Sequence, residues 1–270
     1  MAGIDSLEHQ IALGLWFIVA LSSMIANGCV IFLLLTQRQR KVADLLVLHL
    51  SLSEFLGVTW NVILRPLQWF SSVEYVPIVR VIGGQFFGAL FYQSIICISF
   101  DRLLAAKLVL RYRVLITKRR LQIVLLLIWV LSIMCAVICA IEFDMNTIIW
   151  MFWSSITIAS ILISYSYIAM VLYKQKQFQR NSSCTHVQRF NYKIPLCITL
   201  SYILTMFIPD IVVVIDETLF TVWTLVIWYT NFLIDPLVYV FFRVFYKRRS
   251  ERQLSVSSRN SNITAITTTV

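Results

Sequence analysis

Long apolar runs fill most of this chain, and the few polar groups that interrupt them are where chemistry can reside. Asn27, Glu54, the pair Asp101-Arg102, Asp210, Asn231 and Asp235 each lie in or at the edge of such a run. A charged group at mid-bilayer costs about 2.5–3.5 kcal/mol on insertion scales, so polar residues kept there mark functional sites by default. Arg102 can pair with Asp101 in one state and offer its guanidinium to a docking partner in another; the plainer reading is that the two cap and anchor a helix end. Asp210 directly follows Pro209 and needs a partner of its own. Arg65 is one, giving an internal ion pair, and a cationic ligand is the other; the ion pair is the reading preferred from sequence. Pro209 and Pro236 each remove a backbone hydrogen bond from a helix and so create hinges.

Positioning these groups takes seven membrane-crossing helices. At about 20 residues per crossing, spans are expected at 11–35, 44–69, 78–103, 121–141, 147–172, 194–215 and 219–242. Of the 23 Lys and Arg residues, 21 lie on one side of the resulting alternation, and only Arg65 and Arg80 lie toward the other. Basic residues accumulate on the cytoplasmic side, so the N-terminus is expected outside and the C-terminus inside. The expected fold class is all-α, a seven-transmembrane helix bundle over 11–242 behind a short extracellular N-terminus, 1–10. A short amphipathic eighth helix on the membrane surface, 243–253, and a disordered Ser/Thr/Asn-rich cytoplasmic tail, 254–270, should follow.

A hydrophobic content of 59% with 13% charged residues excludes an ordinary globular domain. The net charge of +10 sits in short membrane-flanking segments, which points to topology and contact with anionic membrane lipid and away from nucleic acid. The first ten residues carry Asp5 and Glu8 and lack the basic start of a secretory signal, so the first span reads as an uncleaved anchor. Among six cysteines only Cys139 approaches the outer face, which leaves it no partner for an extracellular disulfide. His9, His49 and His186 fall in different segments without metal-ligand spacing, and neither a cofactor nor an enzymatic activity is expected. The sequons at Asn181 and Asn262 fall on the cytoplasmic side and are discounted. The outer loops, Ser71–Pro77, Glu142–Asn146 and Asp216–Thr218, are too short to fold as a binding domain, so a ligand must enter the bundle or act on its rim.

The polar motifs also have an order. Asn27 stands in Ala-Asn-Gly-Cys-Val, Glu54 in Leu-Ser-Leu-Ser-Glu, Asp101-Arg102 at the end of span three and Trp129 in span four. Pro209 follows in span six and Asp235-Pro236-Leu237-Val238-Tyr239 in span seven. Over residues of about 11–252 this set resembles the class A, rhodopsin-like G-protein-coupled receptors. The resemblance implies a multi-pass plasma-membrane receptor that passes the signal of an extracellular small ligand or short peptide to a heterotrimeric G protein. It makes Asp101, Arg102, Pro209, Asp235, Pro236 and Tyr239 the coupling and switch residues.

The same resemblance gathers Asn27, Glu54, Asn231 and Asp235 around a sodium ion or a shared proton, since two neighbouring carboxylates in low dielectric do not both stay ionised without a cation. Glu54 replaces the family's aspartate and Phe91 a contributing serine, so one ligand is missing. A shared proton is therefore preferred slightly over sodium held by Glu54 and Asp235. Gly84, Gln85, Asp210, Trp228 and Tyr229 would face the ligand cavity. Gly84 stands where amine receptors carry aspartate and Tyr229 where visual pigments carry lysine, so neither activity is expected. Either Tyr165 or Tyr167 would be the inward-facing tyrosine of span five. Arg189 replaces the acidic partner that some members give the span-three arginine, which predicts a leakier resting state.

The last residues, Thr267-Thr268-Thr269-Val270, fit the carboxy-terminus captured by PDZ scaffolds, with Thr268 and Val270 as the contact positions. Two other classes stay open. A proton-coupled carrier would use Glu54, Asp210 and Asp235 as a relay, although no internal repeat supports it. A non-signalling scaffold would act through the tail alone.

Overall fold

The computed structural model describes residues 7–38, 41–70, 75–108, 111–142, 145–181, 197, 200–215 and 223–241. All regular structure among them is helical: α1 (Leu7–Leu35), α2 (Val42–Phe70), α3 (Tyr75–Leu108), α4 (Lys118–Ile141), α5 (Met145–Asn181), α6 (Ile208–Ile215) and α7 (Trp223–Phe241). A one-turn helix, Tyr112–Leu115, joins α3 to α4, and a π-helical turn, Ile203–Phe207, leads into α6. Among the described residues, α1 to α5 and α7 are long and apolar enough to cross a membrane, and Leu200–Ile211 forms a shorter apolar helix. The surface helix expected at 243–253, Arg189, and the tail with Thr268 and Val270 lie outside the described residues.

Helix ends follow local chemistry more than hydropathy. The Asp44 carboxylate accepts from the Lys41 backbone N–H at 2.9 Å, and the Thr117 hydroxyl accepts from that of Arg120 at 3.4 Å, so each side chain covers a donor that the first helical turn leaves unpaired. α3 overshoots its expected span of 78–103 at both ends, and α5 continues to Asn181, past its expected end at 172. Hydropathy marks only where lipid lies; a helix continues into water until something caps it. Pro77 sits in the first turn of α3, where no intrahelical donor is lost. Pro209 comes just after the π-helical turn, where its missing N–H and its ring would otherwise disturb the preceding carbonyls.

α3 is the central helix. Of its most apolar window 56% is buried, against 22% for α4, whose large side chains from Ile123 to Ile141 mostly point outward. An apolar face of that extent belongs in lipid. Inside, Phe91 and Tyr92 of α3 meet Phe232 of α7 and Trp150 of α5 edge to face, with centroids 5.1 and 5.4 Å apart. Tyr165, not Tyr167, packs on this core. α2 and α3 approach closely because small residues allow it: a Cβ at Gly83 would lie 2.1 Å from the Trp60 indole. Several hydroxyls are satisfied within their own helix, as where Thr59, Thr157 and Thr230 donate to the carbonyls of Phe55, Trp153 and Val226.

Candidate functional site

Three polar groupings lie along the bundle. At one end, α3 closes on Asp101 and Arg102, which form an ion pair, and the Tyr112 hydroxyl donates to the second Asp101 oxygen. Arg102 is thus held by its neighbour, with its Nε buried and without a hydrogen-bond partner. Burial, together with that bond to Asp101, pushes the Tyr112 phenol above its ordinary range and keeps it a donor. Tyr112 was invisible as a partner in sequence, since it lies beyond the end of α3; its one-turn helix folds it back. Nearby, the Tyr239 hydroxyl of α7 contacts Asp44 of α2 at 3.4 Å.

The second grouping occupies the middle. Asn27 donates to the Phe232 carbonyl at 2.9 Å, Ser201 donates to Asp235 at 2.8 Å, and Thr205 donates to Asn231 at 2.8 Å. Glu54 of α2 and Asp235 of α7 are both buried in this grouping. Four buried oxygens there have no hydrogen-bond partner: both of Glu54, Oδ1 of Asn27 and Oδ2 of Asp235. An oxygen-only donor set with two carboxylates suits a hard cation, and a proton shared between the carboxyls would relieve it equally. Phe91 of α3 packs edge to face on Phe232 of α7 beside this grouping. The sequence reading overlooked Ser201 and Thr205; spaced four apart with Pro209, they mark one polar face of the sixth span.

Above the cluster lies a cavity of about 320 Å³ whose lining includes Glu54, Gly84, Asp210, Trp228 and Tyr229. Glu54 belongs to both, so cavity and cluster are continuous. Four of the five expected ligand-facing residues therefore border this space, and Gly84 opens it, since a Cβ there would meet nothing within 4 Å. Gln85 does not. It is buried, and its amide donates to the backbone and side-chain oxygens of Asn146, tying α3 to the start of α5.

The expected Arg65–Asp210 ion pair is not formed. Asp210 accepts instead from Tyr92 at 3.1 Å and Ser154 at 3.0 Å, and Ser154 also meets the Tyr202 hydroxyl at 3.2 Å. Two hydroxyls from α3 and α5 satisfy the carboxylate, while the Arg65 guanidinium lies over the Trp16 ring, 5.5 Å from its centroid. A further polar contact joins three helices: Trp129 donates to His49 Nε2 at 3.0 Å, and His49 Nδ1 meets Ser94 at 2.8 Å. Because the Ser94 hydroxyl donates to the Leu90 carbonyl, His49 is the donor to it, which fixes a neutral ring protonated at Nδ1. Within the described residues no group of His, Cys, Asp and Glu has the makeup of a metal centre.

A bundle of apolar helices with lipid-facing flanks and a polar-floored cavity defines a multi-pass membrane protein. Residues 26–149 match the sequence profile of the seven-transmembrane receptors of the rhodopsin family, a stretch carrying Asn27, Glu54, Asp101-Arg102 and Trp129 in family order. The similarity extends over that stretch, somewhat less than half of the 270-residue chain. No curated protein matches it. The motifs at Pro209 and Asp235–Tyr239 lie beyond the matched stretch and stand on sequence and geometry alone.

Proposed function

We propose that this protein is a seven-helix plasma-membrane receptor, N-terminus outside, in which a ligand in the cavity shifts the population of a state that engages a heterotrimeric G protein. The observation that carries the reading is the continuity of the three groupings. The cavity is floored by Glu54; Glu54 shares the buried polar cluster with Asp235 on α7; and α7 leads, through Pro236, to Tyr239 and the end of the bundle that holds Arg102. Pro209 and Pro236 provide hinges for α6 and α7. In the closed form Arg102 is engaged by Asp101; release presents its guanidinium to a partner. The orientation is supported by 21 of 23 basic residues lying toward the Arg102 side.

Asn27, Glu54 and Asp235 would hold a sodium ion where one binds, neutralising the two carboxylates; otherwise they share a proton. The test is reconstitution in vesicles with a panel of purified G-protein heterotrimers. Nucleotide exchange driven by the protein supports the receptor reading, and ion or solute flux without exchange replaces it with the carrier.

A further inference from the structure

Arg65 and Arg80 are the two basic residues that the charge asymmetry leaves over, and both line the cavity. The Nε of each is buried without a hydrogen-bond partner, and among the described residues neither has an acidic partner. Asp210, on the same cavity, is engaged by Tyr92 and Ser154. Trp16 orients Arg65 without cancelling its charge. Two like charges without a counter-ion are costly in a membrane interior, and an arrangement of this kind persists where something supplies the missing charge.

We propose that the cavity takes an organic anion, its acidic group held between Arg65 and Arg80 and its apolar body against the aromatic wall of Phe87, Trp150 and Trp228. This rests on the reading of the cavity as the ligand site and names the ligand's class. The parallel indoles of Trp150 and Trp228, inclined by 2°, present flat apolar surface. A volume of about 320 Å³ is at the small end for ligand pockets, which suits a compact acid better than a peptide. Guanidinium forks read carboxylate, sulfate and phosphate alike, so the anion is the recognised feature. Its source is a soluble acid or the headgroup of an anionic lipid.

The experiment uses the full chain in phosphatidylcholine nanodiscs and reads its thermal midpoint with indole-3-propionate, the corresponding amide, and tryptamine. The acid should raise the midpoint; the amide and the amine should not. Arg65→Gln and Arg80→Gln should each weaken the acid's apparent affinity at least tenfold; Arg80→Gln should leave the unliganded midpoint undiminished, and Arg65→Gln, which also gives up the Trp16 ring, should lower it only slightly. A second set of discs containing phosphatidylglycerol separates the sources: stabilisation there without added acid, lost in Arg80→Gln, assigns the anion to lipid. Stabilisation by tryptamine alone, by neither probe nor lipid, or equally in the arginine variants overturns the proposal. Basal nucleotide exchange, measured on the same discs, reports separately on the receptor reading, so the two can fail independently.

Discussion

Replacing Asp210 with asparagine removes one negative charge but keeps an oxygen where Tyr92 and Ser154 donate. Inter-helix hydrogen bonds in membrane proteins are worth about 0.6–1.7 kcal/mol. Weakening two of them should therefore cost about 1–2 kcal/mol. Asp210→Ala removes the acceptor and should cost about 2–3 kcal/mol, because the buried Tyr92 hydroxyl loses its carboxylate partner, while Ser154 keeps Tyr202. Had Asp210 neutralised Arg65, loss of one partner would cost about 3–5 kcal/mol and removing the other would restore stability. The assay is the thermal midpoint of purified protein beside its surface expression, for Asp210→Asn, Arg65→Gln and the double variant. A loss of about 2–8 °C is expected for Asp210→Asn, taking about 2–4 °C per kcal/mol. The two substitutions should add to within about 0.5 kcal/mol. Recovery of the Asp210→Asn defect by Arg65→Gln would refute the hydroxyl network and reinstate the ion pair.

Three further expectations concern the cavity, the cluster and the tail. Gly84→Phe should abolish ligand response by filling the cavity while the protein still reaches the surface, whereas Gly83→Ala should lower the thermal midpoint because its Cβ would collide with Trp60; a silent Gly84→Phe would disconnect the cavity from signalling. Sodium and protons compete for the same oxygens of Glu54 and Asp235, so any effect of sodium on basal exchange should weaken as pH falls, and Glu54→Gln should blunt it; identical titrations in wild type and variant would remove the cluster from the mechanism. Deleting Val270 should reduce capture by PDZ domains and spare exchange, and equal pull-down by full and truncated tails would show the terminal match to be accidental.

Apolar runs placed most of the helices well, because lipid imposes that pattern directly on composition. The same physics picked out Glu54, Asp101, Arg102, Asp210 and Asp235, since each is expensive inside a membrane. Partners were less legible. Arg65 and Asp210 each required one and were matched by charge, yet α2 and α6 place them around a cavity where hydroxyls reach Asp210 first. Tyr92, Ser154, Ser201 and Thr205 left little trace, because serine, threonine and tyrosine are cheap in apolar helices. Which of them cross to a neighbouring helix depends on helix rotation, a property of packing. Gln85 shows the converse: a position that the resemblance placed on the cavity is turned to hold Asn146.

Basal nucleotide exchange by a purified heterotrimer, compared across Arg102→Ala, Asp101→Asn and Tyr112→Phe at matched surface levels, tests the central claim most directly. The Asp101 carboxylate holds Arg102, and Tyr112 holds Asp101. Removing the guanidinium should therefore abolish exchange, while loosening its restraint through Asp101→Asn or Tyr112→Phe should raise it above wild type. Normal exchange from well-expressed Arg102→Ala, or a fall in all three variants alike, would contradict the account and leave the ion pair as an anchor for the end of α3.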